Sequence, residues 1–128
     1  MNSKRKILYI EDDPSSRMLV ERTLRFAGYQ VVIAERGLEG IDLARRESPD
    51  LILTDINLPD LSGREITARL RADARFKHTP IVALTAQGYG EYREMALAVG
   101  ISGYLTKPVD VEALPVEIEA YLSGKKES

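Results

Sequence analysis

The chain of 128 residues has no cysteine, which excludes disulfides, thiolate metal sites and cysteine nucleophiles together and fits a reducing compartment. It has no surplus of positive charge: 18 Lys and Arg face 20 Asp and Glu, a formal net charge of −2, and broad nucleic-acid binding wants a basic face. The basic clusters Lys4, Arg5, Lys6 and Lys125, Lys126 lie near the chain ends, where solvated charge is the plain reading. Apolar runs extend only a few residues, far short of the ~20 that a membrane helix needs. No apolar signal-peptide core follows the first basic residues. A cytoplasmic protein without a membrane segment is the expectation. The single histidine, His78, precedes Thr79 and Pro80 in an expected loop and reads as a surface residue.

What is present is ordinary for a globular domain, with 44% hydrophobic and 30% charged residues. One domain over residues 1–128, with a core from about 5 to 122, fits this length. Ile7-Leu8-Tyr9-Ile10 is wholly apolar, as a strand covered on both faces should be. A helix is expected from Pro14 to about Ala27, closed by Gly28, with Val20, Leu24 and Ala27 facing the sheet. Further strands are expected at Gln30–Ala34, Asp50–Thr54, Ile81–Leu84 and Ser102–Leu105. Helices are expected to stop near Ser48 and Pro49, to follow Gly63, to run from about Glu91 to Val99, and to reach about Leu122. Pro115 places the regular start of the last helix near itself, after a looser turn over Asp110–Leu114, the alternative being a kink. The alternation is (βα)₅, an α/β doubly wound parallel sheet with right-handed crossovers.

In such a sheet, sites form at the carboxyl ends of the strands, where strand order reverses. Glu11 and Asp12 follow the first expected strand, Asp55 the third, Thr85 the fourth and Lys107 the fifth. Three carboxylates at one edge repel one another, and burying them unpaired is costly. A hard divalent cation such as Mg²⁺ removes that cost and also neutralises a phosphoryl group arriving at a carboxylate. Lys107 and Thr85, with the backbone N–H of Ala86, suit the phosphoryl oxygens, and Asp55 is the natural nucleophile of a phosphoaspartate reaction. Alone, each residue has a duller explanation as a cap, strand end or surface charge. The set changes that balance.

Four strings carry a family likeness: Ile7–Asp13 (Ile-Leu-Tyr-Ile-Glu-Asp-Asp), Asp50–Gly63 (Asp-Leu-Ile-Leu-Thr-Asp-Ile-Asn-Leu-Pro-Asp-Leu-Ser-Gly), Leu84-Thr85-Ala86 and Gly103–Pro108 (Gly-Tyr-Leu-Thr-Lys-Pro). In this order and spacing the chain resembles response-regulator receiver domains of two-component systems. The resemblance implies a CheY-like fold of strand order 2-1-3-4-5. It also implies dependence on Mg²⁺, with Mn²⁺ as a substitute, and phosphoryl transfer from a sensor histidine kinase or histidine phosphotransfer protein. Three acids compete for the family's acid pair. Asp13, before Pro14, suits the helix cap, which leaves Asp12 as direct metal ligand and Glu11 acting through water, with Asp13 in place of Glu11 as the other register. Arg17 resembles the family's arginine early in this helix and supports the first register. The same likeness makes Asp55 the phosphoacceptor and metal ligand, the Asn57 backbone carbonyl a metal ligand, Thr85 and Tyr104 the switch pair, and Lys107 the phosphoryl-binding lysine. It places a cis peptide between Lys107 and Pro108, and Asn57 and Gln87 where dephosphorylation is tuned. The implied output surface for a downstream protein is the face of the fourth helix, fifth strand and fifth helix. A packing role in the core is the alternative reading of Tyr104, and Tyr89 and Tyr92 read equally as partner surface or half-exposed packing.

The implied function is a phosphorylation-dependent switch rather than a turnover enzyme. A degenerate receiver used as a constitutive docking module, or a module of a larger hybrid kinase or response regulator, is the alternative. A haloacid-dehalogenase-like phosphatase would separate its two acids and carry a cap domain. A flavodoxin-like carrier would place a Ser/Thr/Gly-rich phosphate loop where this chain has carboxylates.

Overall fold

In the computed structural model of the chain, residues 4–85 and 100–124 are described. The elements are β1 (Lys6–Ile10), α1 (Pro14–Phe26), β2 (Gln30–Ala34), α2 (Gly37–Glu47), β3 (Leu51–Asp55), α3 (Gly63–Arg71), a 3₁₀ turn (Ala74–Phe76), β4 (Ile81–Thr85), β5 (Gly103–Thr106) and α4 (Leu114–Leu122). All strand pairs are parallel, in the order β2-β1-β3-β4-β5. This is the CheY-like α/β architecture expected from the sequence. The expected helix at Glu91–Val99 lies outside the described residues, so α4 corresponds to the fifth expected helix.

Both faces of the sheet are covered, which is why the strands are apolar without alternation. On one face Ile7, Tyr9, Leu51, Leu53, Val82 and Leu84 pack against Val20 and Leu24 of α1 and against Leu114, Ile118 and Tyr121 of α4. On the other, Leu8, Ile10, Ile52 and Ile81 meet Ile41 and Ala44 of α2 and Ile66 and Leu70 of α3. Each fully buried Leu or Ile contributes about 1.5–3 kcal/mol, so the two layers dominate stability.

Local chemistry sets the helix ends. Asp13 caps α1 by accepting the Ser16 N–H at 2.8 Å, and Pro14 occupies the first turn. Gly28 leaves the helix with φ +103°, the left-handed conformation in which glycine is cheapest. Ala27 is exposed rather than facing the sheet, because the helix ends at Phe26 and the chain has already turned away. Ser62 and Glu65 form a reciprocal capping box at α3. α4 starts at Leu114, with Pro115 in its first turn and Asp110 accepting the Glu112 and Ala113 N–H groups ahead of it; there is no kinked longer helix. Two strands are shifted by one residue: β3 runs Leu51–Asp55 and β5 runs Gly103–Thr106. Asp55 therefore ends the strand rather than following it, since its backbone pairs with Leu84.

Candidate functional site

The parallel register aligns the acids. Tyr9 lies beside Leu53 and Ile10 beside Thr54, so one further step sets Glu11 beside Asp55. Strand alternation puts Tyr9, Glu11 and Asp55 on the same face of the sheet. Carboxylate oxygens of Glu11, Asp12 and Asp55 all lie within 4.8 Å of one another. Glu11 is fully buried, Asp55 half-buried and Asp12 exposed.

From the end of β5, Lys107 reaches back across the sheet. Its Nζ donates to Glu11 Oε1 at 2.8 Å and lies 3.6 Å from Asp55 Oδ2. Its backbone N–H donates to the Thr85 carbonyl at 2.7 Å, and the Lys107–Pro108 peptide is cis. Glu11 Oε1 also accepts the Tyr9 hydroxyl at 3.1 Å, and Oε2 accepts the Asp13 N–H at 3.3 Å. Asp13 is thus committed to capping and to bracing Glu11, which places Glu11 and Asp12 together as the acids turned to Asp55.

One ammonium does not balance three carboxylates. At 4.8 Å two like charges repel by roughly 3 kcal/mol at an effective dielectric constant of about 20. Burial and the Glu11 charge push the Asp55 carboxyl up to about 6, against the opposing pull of Lys107 and the Asn57 N–H. Burial alone would lower the Lys107 ammonium, but the hydrogen bond to Glu11 and the Asp55 charge outweigh it and raise it. Lys107 is therefore firmly charged. Clustered hard oxygens with excess negative charge are a donor set that fits Mg²⁺ or Mn²⁺ and not a soft metal.

The loop after β3 is built for close approach. Gly63 N–H donates to the Ile56 carbonyl at 2.7 Å, and Asn57 and Ser62 form an isolated antiparallel bridge. A Cβ on Gly63 would lie 2.9 Å from the Asp55 carbonyl oxygen, so α3 can start this close to the site only with glycine there. Asp60, in the same loop, accepts the Gly37 and Leu38 N–H groups at 2.8 and 2.9 Å and caps α2, which has no cap of its own.

The other expected site residues fall as follows. Asn57 is exposed beside Asp55, and Thr85 is buried at the end of β4. Tyr104 is half-buried and packs with Ala83 and Ile101. Arg17 reaches Glu35 at 3.9 Å. His78 is exposed. Ala86, Gln87, Tyr89 and Tyr92 lie outside the described residues. Sequence reasoning missed the Lys107–Glu11 pair, the Asp60 cap and the part of Tyr9. The one available signal for Tyr9 was a hydroxyl-bearing ring in an otherwise aliphatic strand, two residues before an acid.

With this geometry in view, known proteins are informative. The family model described as response regulator receiver domain matches residues 7–119. The polar-differentiation response regulator DivK of Brucella ovis is 35% identical over 118 residues, covering 92% of this chain and 96% of its own. Among solved structures, the chemotaxis response regulator CheY4 of Vibrio cholerae superposes with a TM-score of 0.89 at 34% identity, covering 93% of this chain and 99% of its own. The receiver domain of sensor histidine kinase PA1611 of Pseudomonas aeruginosa gives a TM-score of 0.87 at 33% identity, covering 94% and 99%. That structure has a magnesium ion coordinated in its active-site cleft.

Proposed function

Because the chain belongs to the response regulator receiver domain family, we propose that it is a signalling switch in which Asp55 takes a phosphoryl group from a phosphohistidine. The donor is a sensor histidine kinase or a histidine phosphotransfer protein. Receiver domains are signalling modules, and the only chemistry assigned to this one is its own phosphorylation and dephosphorylation.

The observation that carries the reading is the cluster of Glu11, Asp12 and Asp55 with Lys107 at one edge of the sheet. Asp12, Asp55 and the Asn57 backbone carbonyl would hold Mg²⁺ or Mn²⁺, with Glu11 acting through water, and the cation when bound supplies charge neutralisation for the phosphoryl oxygens. An Asp55 oxygen attacks phosphorus as the bond to the histidine nitrogen breaks, and the imidazole leaves. Lys107 Nζ, 3.6 Å from Asp55, is within reach of a phosphoryl oxygen on that carboxylate. The Thr85 hydroxyl and the Ala86 N–H serve other phosphoryl oxygens. Movement of Thr85 toward the phosphoryl group repositions Tyr104, biasing a two-state equilibrium that a downstream protein reads on the face carrying β5 and α4. Asn57 and Gln87 tune how fast the phosphoaspartate is lost. The whole chain acts as one receiver domain, and no direct nucleic-acid contact is assigned to it. Among the described residues no helix is long and apolar enough to cross a membrane.

Incubation with Mg²⁺ and a small acyl phosphate tests this by intact mass. A gain of about 80 Da that requires Mg²⁺ is expected. No gain, also from a phosphohistidine donor and with the protein folded, would replace the switch by a docking module.

A further inference from the structure

Tyr9 is fully buried in β1, in the same core cluster as Val20, Leu24 and Leu53. A buried phenol needs an acceptor, and most find a backbone carbonyl or a solvated oxygen. This one takes Glu11 Oε1, the same oxygen that accepts Lys107 Nζ. Glu11 is itself without exposure, so its charge is supported only by the donors that reach it. Among the described residues those are Tyr9 and Lys107 on one oxygen and the Asp13 N–H on the other, with the Asp55 carboxyl alongside.

The same lysine is wanted elsewhere. Lys107 Nζ sits at hydrogen-bond distance from Glu11 and at 3.6 Å from Asp55, so a phosphoryl group on Asp55 competes with Glu11 for the same ammonium. Loosening it strips a buried carboxylate of its ionic partner, a large cost unless another donor stays. The Lys107 stem is long and flexible. The Tyr9 ring is locked in a close-packed core, so its hydroxyl stays on Oε1. We infer that Tyr9 is a positioning residue: its hydroxyl holds Glu11 in place and lets Lys107 exchange that carboxylate for the phosphoryl oxygen. The inference rests on the receiver reading of Asp55.

Tyr9→Phe keeps the ring and removes only the donor. With saturating Mg²⁺, affinity for beryllofluoride, a phosphoryl mimic, should fall about tenfold, the size of one hydrogen bond to a charged group. Without beryllofluoride, Lys107 stays on Glu11, and Mg²⁺ affinity by titration calorimetry should change by no more than about twofold. Unchanged beryllofluoride binding overturns the inference. So does an equal loss of Mg²⁺ affinity, which would make Tyr9 a shaper of the acid cluster instead. If the variant fails to fold, the unsubstituted protein carrying ¹³Cζ-tyrosine decides: the Tyr9 resonance should shift on adding beryllofluoride to the Mg²⁺-loaded form, and its constancy overturns the exchange. If the unsubstituted protein does not bind beryllofluoride at all, the receiver reading of Asp55 fails and takes this inference with it.

Discussion

The two ends of the sheet treat charge in opposite ways. At the amino end two cations, Arg71 and Lys6, are tied into the fold by acceptors that surround them. Arg71 donates to the Gly100, Phe76 and Thr79 carbonyls and to Ser102 Oγ, tying α3 to the starts of β4 and β5. Lys6 pairs with Glu47 at 3.1 Å, and its N–H donates to Asp50 at 2.7 Å. At the carboxyl end, among the described residues, Lys107 pairs with two of three clustered carboxylates, and one of them is held near 6 rather than its ordinary 3.8. Cations satisfied by acceptors mark the end that holds the fold. Unbalanced charge marks the end that awaits a ligand.

The sharpest break of this contrast is Arg71→Leu. Three carbonyls and a hydroxyl lose their donor, and stability by urea unfolding should drop by about 2–4 kcal/mol. Phosphoryl uptake by the folded fraction should be unchanged, because among the described residues Arg71 bonds only to Phe76, Thr79, Gly100 and Ser102. Next is Gly63→Ala, whose Cβ meets the Asp55 carbonyl at 2.9 Å. A cost of roughly 1–3 kcal/mol is expected, and here uptake should fall as well.

Asp55→Asn should have the opposite sign. The folded value of about 6 lies above the ordinary 3.8, so the fold binds this proton more tightly than the unfolded chain does. Its contribution is fully present below the ordinary value and is lost as pH rises through about 6. Removing the charge should therefore stabilise the metal-free protein at neutral pH by about 1–2 kcal/mol. The gain should vanish below the ordinary value of 3.8, in denaturant melts recorded with a chelator. Mg²⁺ at ten times its Kd should add about 1.4 kcal/mol to the unsubstituted protein. Asp12→Asn should lose most of that increment, and Arg71→Leu should retain it, in thermal scans with and without chelator. Smallest of all, His78→Ala should move stability by less than about 0.5 kcal/mol and leave uptake unaltered.

Much of this was visible in the amino-acid order, for reasons that differ by residue. β2 was expected at Gln30–Ala34 and is found there, since Gly28 and a polar flank bound a short apolar run. Pro14 and Asp13 marked the start of α1 because capping is local chemistry. β3 and β5 were displaced by a residue because apolar content identifies a strand while partner pairing sets its ends: Asp55, an acid, pairs with Leu84. Collecting Glu11, Asp12, Asp55 and Lys107 at one edge followed from strand order alone. The Lys107–Glu11 contact did not. It spans 96 residues and depends on how far a lysine reaches and which carboxylate is the more buried. Tyr9 was counted as one more apolar strand residue, and only the direction of its hydroxyl sets it apart.

The central claim is that charge left unbalanced at the carboxyl end serves phosphoryl transfer to Asp55. Borohydride trapping after incubation with Mg²⁺ and an acyl phosphate, followed by peptide mapping, addresses it most directly. The account predicts reduction at Asp55 alone, converting its acyl phosphate to homoserine, with none when Mg²⁺ is chelated. Trapping at another carboxylate, or none at Asp55 in folded protein that has gained the phosphoryl mass, would contradict it.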